Sequence, residues 1–319
     1  MVKPFTLAVD VGGSHIRVAL VADNGVRSRR EFSVSPALGL RRYLDAIEEA
    51  ARELFVETPQ AAGQCGGIGM GVPLLADARL ARVVSTPRGK FSDAAEIDFR
   101  AWATERFGWE LRLEVDAHVG CLGEWIYGAG QGCSDLVYVT LGTGYGTSVI
   151  LRGKALRGRT SQAGILGGHL SVNAGGHACV CPGRGCIEAE TGTWALDAIV
   201  REQPGYSASR LARHDFVNYG ILFAEADQGD LLGKQMVDRS LGYWGASLVN
   251  LTHAYNPAKI IMAGSIMKSA ERIIPFMNDY LRRNVWTASD YPEVVPARFC
   301  DSAVLRGARA LFTHAPDYL

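Results

Sequence analysis

The stretch HLSVNAGGHACVCPGRGCIE, from His169 to Glu188, decides how this chain is organised. It places Cys179, Cys181 and Cys186 within eight residues, and His169 lies ten residues ahead of the first cysteine. The proline and glycines between the cysteines favour a tight turn in which three sulfurs point at one centre. Three thiolates and one imidazole are the ligand set of structural Zn²⁺, so the stretch predicts a closed metal site that holds a loop in shape.

Disulfides and idle buried thiols are the alternative interpretations of these cysteines. Cys179 and Cys181 are too close in sequence to pair comfortably, and the chain has seven cysteines. An odd count without a recognisable secretory signal indicates a reducing compartment and predicts a cytoplasmic protein. His177 is a rival fourth zinc ligand, but it would have to share the same short loop, so His169 is preferred.

The composition predicts a globular chain long enough for two lobes. Of the 319 residues, 48% are hydrophobic and 21% are charged, and the formal net charge is zero. A balanced charge gives no basic surface for nucleic acid, and strand-sized apolar runs predict no membrane span. The first strand begins almost at once, so we expect neither a targeting peptide nor an added DNA-binding domain.

Two glycine-rich turns, each between two predicted strands, lie roughly 130 residues apart. The first joins Leu7–Asp10 to Ile16–Val21, and the second joins Val137–Leu141 to Thr147–Leu151. Glycines let backbone N–H groups converge on an anion, and neighbouring hydroxyls add donors. Each turn alone is equally compatible with a plain hairpin, but the pair predicts phosphate binding by two related lobes that face each other across a cleft. The predicted nucleotide-binding residues in these turns are Asp10, Gly12, Gly13, Ser14, Gly142, Thr143, Gly144 and Gly146.

Strands and helices alternate along the remaining chain, which predicts an α/β fold. Predicted helices cover Leu38–Phe55, Phe99–Phe107, Ala117–Tyr127, Leu231–Tyr255, Ile273–Leu281 and Val304–Phe312, and further predicted strands cover Ile68–Val72, Leu111–Val115, Ile260–Ala263 and Val294–Phe299. Between a strand and a helix, Ala263, Gly264 and Ser265 form a turn that suits the flat face or sugar of a nucleotide. A tight structural turn is an equal alternative.

Asp116 is the candidate catalytic residue, because it projects from the end of a predicted strand. A carboxylate there can accept a proton from a substrate hydroxyl as that hydroxyl attacks phosphorus. The alternative is that Asp116 N-caps the following helix. The two roles can coexist.

In these residues the chain resembles the ROK sugar kinases, members of the actin/hexokinase-like superfamily. The resemblance runs from Leu7 to about Leu311 and is carried by AVDVGGSHIRVAL, GMGVP, EVDAHVGCLGE, TLGTGYG, CVCPGRGCIEAETG, NPAKIIMAGS and DSAVLRGARAL. It implies a two-lobed actin/hexokinase-like (ribonuclease H-like) fold with a cleft between the lobes and a structural zinc loop. Residues 1–117 with 300–319 would form the small lobe and residues 118–299 the large lobe. The resemblance also implies a homodimer.

The function implied by the resemblance is ATP-dependent phosphorylation of a hexose or hexose-like sugar, usually at the C6 hydroxyl. ATP phosphates would lie at the hairpins, Mg²⁺ near Asp10 and Asp116, and Asp116 would activate the hydroxyl. His169 would ligate zinc and reach the sugar, and Glu188 would bind sugar hydroxyls. A sugar-binding regulator or pseudokinase is the alternative, and the retained Asp116 argues against it.

Four positions depart from the family pattern. Val115 replaces the usual Asn before the catalytic Asp, and Leu166 replaces the usual Glu three residues before the zinc histidine. Leu74 replaces a glycine after GxP, and His118 replaces the second Asn of NDAN. Val and Leu cannot hydrogen-bond sugar hydroxyls as the usual residues do, so standard glucose is predicted to be a poor substrate.

Within the family, the chain looks most similar to the allose-kinase branch. The similarity rests on His15–Arg17, on the stretch Val83–Pro87 and on the apolar residue before the catalytic Asp.

Overall fold

The structure is a computed structural model that describes residues 3–86, 89–288 and 290–314. Pro87, in the stretch that resembles the allose-kinase branch, lies outside these residues. The chain divides into two compact units. Residues 1–134, 148–165 and 297–319 belong to the first, and residues 135–147 and 166–296 to the second.

Both units are built on mixed sheets with helices, so the predicted α/β class is confirmed. The strands are β1 (Phe5–Val11), β2 (His15–Ala22), β3 (Gly25–Ser33), β4 (Cys65–Val72), β5 (Leu75–Asp77), β6 (Arg82–Ser85), β7 (Leu111–Val115), β8 (Leu136–Leu141), β9 (Tyr145–Leu151), β10 (Lys154–Ala155), β11 (Lys259–Ala263) and β12 (Glu293–Pro296). The α-helices are α1 (Leu44–Glu57), α2 (Pro59–Ala62), α3 (Phe99–Phe107), α4 (Asp116–Tyr127), α5 (Ile187–Thr191), α6 (Thr193–Arg201), α7 (Tyr219–Asp227), α8 (Leu231–Tyr255), α9 (Ala270–Asn284) and α10 (Ala303–Thr313).

The sheet of the first unit has the order β3-β2-β1-β4-β7. β1 is antiparallel to β2 and parallel to β4, and β7 is parallel to β4. Helix α10 packs against α4, β1 and β4. The crossing of α4 and α10 is close because both helices carry glycine there. A Cβ added to Gly307 would lie 1.7 Å from the carbonyl oxygen of Val119, and one added to Gly123 would lie 2.1 Å from that of Ala303.

The other five-stranded sheet has the order β10-β9-β8-β11-β12, in which β8, β11 and β12 are parallel. Strand β9 begins in the second unit and continues into the first. The 25-residue helix α8 packs against α5, α7 and α9. It ends where Asn256 adopts a left-handed conformation with φ 45°, which confirms the predicted stop.

Several predicted boundaries differ from the structure. The predicted helix from Leu38 begins only at Leu44, because Gly39 has φ 80° and short 3₁₀ turns precede the α-helix. The strand predicted to reach Phe299 ends at Pro296, which cannot donate a ladder hydrogen bond. Helix α4 lies in the first unit.

Among the described residues, none of the helices combines the length and apolar character that a bilayer crossing would need.

Candidate active site and metal centre

Asp116 is the first residue of α4 and directly follows β7. Its Oδ1 accepts a hydrogen bond from the backbone N–H of Ala117 at 2.7 Å. The N-cap position is occupied by Val115, which has an extended backbone. The alternative that Asp116 N-caps this helix is therefore wrong, since its backbone is already helical and its carboxylate bonds the next residue.

The environment of Asp116 suits a general base. Burial is the main cause that raises the pKa of Asp116 from 3.8 to about 7, and the negative charge of Asp10 adds to the rise. The hydrogen bond from Ala117 and the charge of Lys90 act in the opposite direction. A base with a pKa near neutral can both hold and release a proton at physiological pH.

Asp10, on β1, is buried and belongs to a row of charges across three strands. Nη1 of Arg17 on β2 lies 3.2 Å from its Oδ2, and Nε of Arg17 lies 3.0 Å from Oε2 of Glu31 on β3. Burial raises the pKa of Asp10, and the charge of Arg17 lowers it. Arg17 on the neighbouring strand thus orients the carboxylate of Asp10, which the sequence predicts to lie near Mg²⁺.

The first glycine hairpin follows Asp10. The N–H of Gly12 donates to the carbonyl of His15 at 2.9 Å, and a Cβ on Gly12 would lie 2.8 Å from that carbonyl oxygen. Gly13, in contrast, has no atom within 4 Å of an added Cβ. Gly12 is therefore required by the tight turn, while Gly13 leaves open space beside the backbone, as an anion-binding turn needs.

The second glycine hairpin, between β8 and β9, is held by the segment that follows Glu188. The carbonyl of Gly142 accepts from the N–H of Thr193 at 3.2 Å and from its Oγ1 at 2.8 Å. The carbonyl of Thr143 accepts from the N–H of Trp194 at 3.2 Å. The hairpin carbonyls therefore face α6, and these hydrogen bonds fix the conformation of the hairpin.

The turn Ala263–Ser265 lies beside this hairpin. Gly264 has φ 96°, and a Cβ there would lie 2.1 Å from the carbonyl oxygen of Leu141. A Cβ added to Gly142 would be in ordinary contact with Oγ of Ser265 at 3.8 Å. The structure thus brings together two of the predicted nucleotide-binding segments, and it explains why glycine is needed at position 264.

The four predicted zinc ligands, His169, Cys179, Cys181 and Cys186, converge with all ligand atoms within 4.8 Å of one another. Nδ1 of His169 lies 3.5 Å from Sγ of Cys179, and the sulfurs of Cys181 and Cys186 are 3.6 Å apart. Tetrahedral Zn²⁺ with bonds of about 2.0 Å to nitrogen and about 2.3 Å to sulfur has ligand-to-ligand edges of about 3.5–3.8 Å. The two measured separations match the edges of a zinc tetrahedron.

The chemistry of these thiols also favours a cation. Burial, followed by the neighbouring thiols Cys181 and Cys179, raises the pKa of Cys186 to about 12. Burial likewise raises the pKa of Cys179. Thiols packed this closely do not ionise together unless a positive charge compensates them.

His169 is placed by the two glycines before it. The N–H of Gly167 donates to Oγ1 of Thr147 at 2.9 Å, and a Cβ on Gly168 would lie 2.0 Å from the carbonyl oxygen of Tyr145. His177 lies outside the ligand cluster, because its Nδ1 faces Oε2 of Glu190 at 3.0 Å. The preference for His169 over His177 is thus supported by geometry.

A buried ion pair that the sequence analysis missed fastens the zinc loop to α8. Glu190 is fully buried, accepts from the backbone N–H of His177 at 2.7 Å, and pairs with Nη2 of Arg239. Arg239 also donates to the carbonyl of Glu190 at 2.8 Å and lies over the ring of Tyr243. The only signal in the sequence was Glu190, the second acid of the triplet Glu-Ala-Glu at 188–190. Its partner Arg239 lies about fifty residues further along the chain.

The positions that depart from the family pattern are largely buried. Val115 and Leu74 are buried, and Leu166 is half-buried. His118 is buried, with Nδ1 2.7 Å from Oγ of Ser148 and no hydrogen-bond partner for Nε2 among the described residues. Burial lowers the pKa of His118 well below its ordinary value of 6.5, so this imidazole is neutral.

A second buried ion pair precedes the catalytic candidate. Glu114 is buried, pairs with Arg157, and accepts from the N–H of Val115 at 2.8 Å. Since Glu114 is bound to the backbone just before Asp116, the pair fixes the end of β7 from which the catalytic candidate follows.

The chain matches the ROK family and is similar to glucokinases and to a repressor. The ROK family profile matches residues 6–315. A glucokinase of Thermotoga maritima is 30% identical over 287 residues, covering 85% of each chain. The crystal structure of a ROK family glucokinase from Streptomyces griseus in complex with glucose and AMPPNP is 25% identical, with a TM-score of 0.81 over 97% of this chain and 99% of that one. The xylose repressor of Bacillus subtilis is 26% identical, covering 96% of this chain and 76% of the repressor.

Proposed function

Because the chain belongs to the ROK family, we propose that it is an ATP-dependent sugar kinase. It transfers the γ-phosphate of ATP to a hydroxyl, by family resemblance the C6 hydroxyl, of a hexose or hexose-like sugar. The observation that carries the proposal is Asp116, a buried carboxylate at a strand-to-helix junction whose pKa is raised to about 7.

In the proposed reaction, Asp116 accepts the proton of the sugar hydroxyl as its oxygen attacks the γ-phosphorus. The new O–P bond forms while the bond to the leaving ADP oxygen breaks. Backbone N–H groups of the hairpins at Gly13 and Gly144 hold the phosphates. Mg²⁺ bound with ATP supplies neutralisation of the phosphate charge, and Asp10 is the residue we assign to it.

The zinc loop serves sugar binding in this proposal. Zn²⁺, held by the histidine and the three cysteines, supplies a fixed shape rather than chemistry, because four protein ligands leave no open coordination position. His169 and Glu188 then contact sugar hydroxyls. Val115 and Leu166 offer no hydrogen bonds, and they support a substrate other than standard glucose. An epimer such as allose, as the resemblance to the allose-kinase branch suggests, or a deoxy, amino or cyclitol analogue, avoids the lost contacts.

We also propose a cellular compartment and an oligomeric state for the protein. ATP supply and reduced thiols are both features of the cytoplasm, where we place the reaction. By family resemblance the protein is a homodimer, which light scattering on the purified protein would test.

A non-catalytic, sugar-binding regulator is the second candidate. The likeness to the xylose repressor favours it. The buried base argues for catalysis, because a protein that only binds sugar does not require a carboxylate with a raised pKa at this position.

A coupled assay of ADP release tests both candidates. The panel would comprise glucose, allose, mannose, N-acetylmannosamine, 2-deoxyglucose and myo-inositol. We expect sugar-dependent turnover that Asp116→Asn lowers by about 10²–10⁴-fold while ATP binding is retained. Sugar binding by calorimetry without any turnover would instead support the regulator. An Asp116→Asn variant with more than about a tenth of wild-type turnover would show that Asp116 is not the base.

A further inference from the structure

Glu188 contacts the second glycine hairpin directly. Its Oε2 accepts a hydrogen bond from the backbone N–H of Tyr145 at 3.1 Å. A Cβ added to Gly144 would lie 2.5 Å from the same oxygen. The carboxylate therefore lies against the backbone that the proposed function assigns to ATP phosphates, and it occupies an N–H group that a phosphate would use.

The donor of this hydrogen bond is fixed in place. The Tyr145 hydroxyl lies 3.0 Å from Oγ of Ser247 on α8, and Tyr145 is 4% exposed. Gly168 packs against the Tyr145 carbonyl, since a Cβ there would lie 2.0 Å from its oxygen. Glu188, in contrast, is half-buried and bonds the hairpin N–H through its side chain. If the contact breaks, the part that moves is the Glu188 carboxylate.

The carboxylate and an ATP phosphate compete for the same place. Both are anions, both require N–H donors, and two negative charges at one glycine turn repel each other in a partly desolvated environment. A sugar hydroxyl that donates to Glu188 gives the carboxylate another partner. The Tyr145 N–H then becomes available to a phosphate.

We propose that Glu188 acts as a gate that controls phosphate binding at the second hairpin. This inference takes its two ligands, ATP and a sugar, from the proposed function. Without sugar, the carboxylate holds the Tyr145 N–H and opposes phosphate binding. With sugar bound, the carboxylate turns to a sugar hydroxyl and releases the N–H to ATP. Sugar therefore strengthens ATP binding, and ATP is protected from hydrolysis while no acceptor is present.

The expected size follows from the bond that is exchanged. A hydrogen bond to a charged group corresponds to roughly a 10- to 100-fold change in an equilibrium constant. The gate is therefore expected to change nucleotide affinity by about 10-fold or more.

The first test needs no sugar. The Kd of AMPPNP with Mg²⁺ is measured by calorimetry for wild type, Glu188→Gln and Glu188→Ala. Glutamine removes the charge, and alanine also removes the acceptor of the Tyr145 N–H. Both variants are expected to bind AMPPNP about 10-fold more tightly than wild type. Glu271→Gln is the matched control, since it removes one carboxylate charge at an exposed position in the first turn of α9.

The proposal is overturned if either Glu188 variant fails to bind AMPPNP more tightly, or if Glu271→Gln binds it as tightly as they do. The second test repeats the titration with the panel sugar of highest kcat/KM at a concentration that saturates each protein. Sugar should tighten AMPPNP binding in wild type and Glu271→Gln, and much less in Glu188→Ala. Equal tightening in all three also contradicts the gate. If no panel sugar is phosphorylated, the kinase proposal fails, and the sugar-free series still decides the gate.

Discussion

Asp116 derives its proposed role from its position at the first turn of α4. A buried carboxylate next to a second carboxylate retains its proton to a higher pH than an exposed one. At Asp116, burial and the charge of Asp10 exceed the effects of Lys90 and the Ala117 N–H. The consequence is a base that ionises near neutral pH and whose ionisation should be visible in kinetics.

The first prediction concerns pH. Because the base must be ionised, kcat/KM should be low below the pKa of Asp116, rise through about pH 7 and reach a plateau above it. Lys90→Met should move the midpoint to higher pH, since the lysine charge lowers the pKa of Asp116. The measurement is kcat/KM against pH at constant ionic strength. A midpoint that stays near pH 4, or that Lys90→Met shifts downward, would show that another group limits the rate.

The second prediction concerns Val115 and Leu166. Each missing hydrogen-bond partner in a closed site costs about 1–3 kcal/mol, so the two together weaken glucose by about 10²-fold or more. We expect the Val115→Asn, Leu166→Glu double variant to raise kcat/KM for glucose relative to allose. The comparison is the ratio of the two kcat/KM values in wild type and variant. A wild type that prefers glucose, with no gain in the variant, would disconnect these residues from specificity.

At the scale of elements, the sequence predicted those whose signals are local. Helices α3 and α8 and strand β7 have the predicted boundaries, and both helices end at residues with a left-handed conformation, Gly108 and Asn256. Helices α5 to α7 and strand β3 were not predicted. Strand β3 carries alternating arginines on an exposed edge, and α5 has only five residues. Their structures depend on tertiary partners that no local pattern reveals.

In the candidate site, too, local sequence signals were predicted and contacts between distant residues were missed. The convergence of the four candidate zinc ligands was predicted because one histidine and three cysteines with restricted spacing lie close together in the chain. The Glu190–Arg239 pair and the contact from Tyr145 to Glu188 were missed. Both join residues more than forty positions apart, and one of them uses a backbone donor that no side-chain motif reports.

The third prediction concerns the crossing of α4 and α10. Gly307→Ala places a Cβ 1.7 Å from the Val119 carbonyl oxygen, so the helices must separate, and we expect a loss of about 3 kcal/mol in the free energy of unfolding. Gly242→Ala, inside α8 with no atom within 4 Å of its Cβ, is the control and should gain about 0.5–1 kcal/mol. Urea unfolding measures both. Equal effects of the two substitutions would mean that the crossing tolerates the methyl group.

At the scale of the whole molecule, each unit has its own buried residues. The zinc ligands and the Glu190–Arg239 pair all lie in the second unit. Structural zinc can contribute roughly 10–16 kcal/mol in small peptides. In a unit with its own core, that contribution should be confined to the loop and its supports.

The fourth prediction follows from this division. Chelation of zinc should increase hydrogen exchange in residues 169–190 and leave the strands of the first unit protected. In Arg239→Met, the increase should extend further into α5 and α8, because Glu190 then loses its charged partner. Exchange measured by mass spectrometry, with zinc content determined on the same samples, provides the test. Exchange that rises in all regions together would mean that zinc stabilises the entire chain.

The position of α10 has a consequence for synthesis. This helix covers β1, β4 and α4, yet residues 128–302 separate it from α4 along the chain. At about 5–20 residues per second, a ribosome takes roughly 9–35 s to make that intervening segment. During this time the first sheet has emerged from the exit tunnel with an apolar face uncovered. We expect chaperones to protect the nascent chain until α10 arrives, so the speed at which residues 128–302 are translated sets how long it is vulnerable.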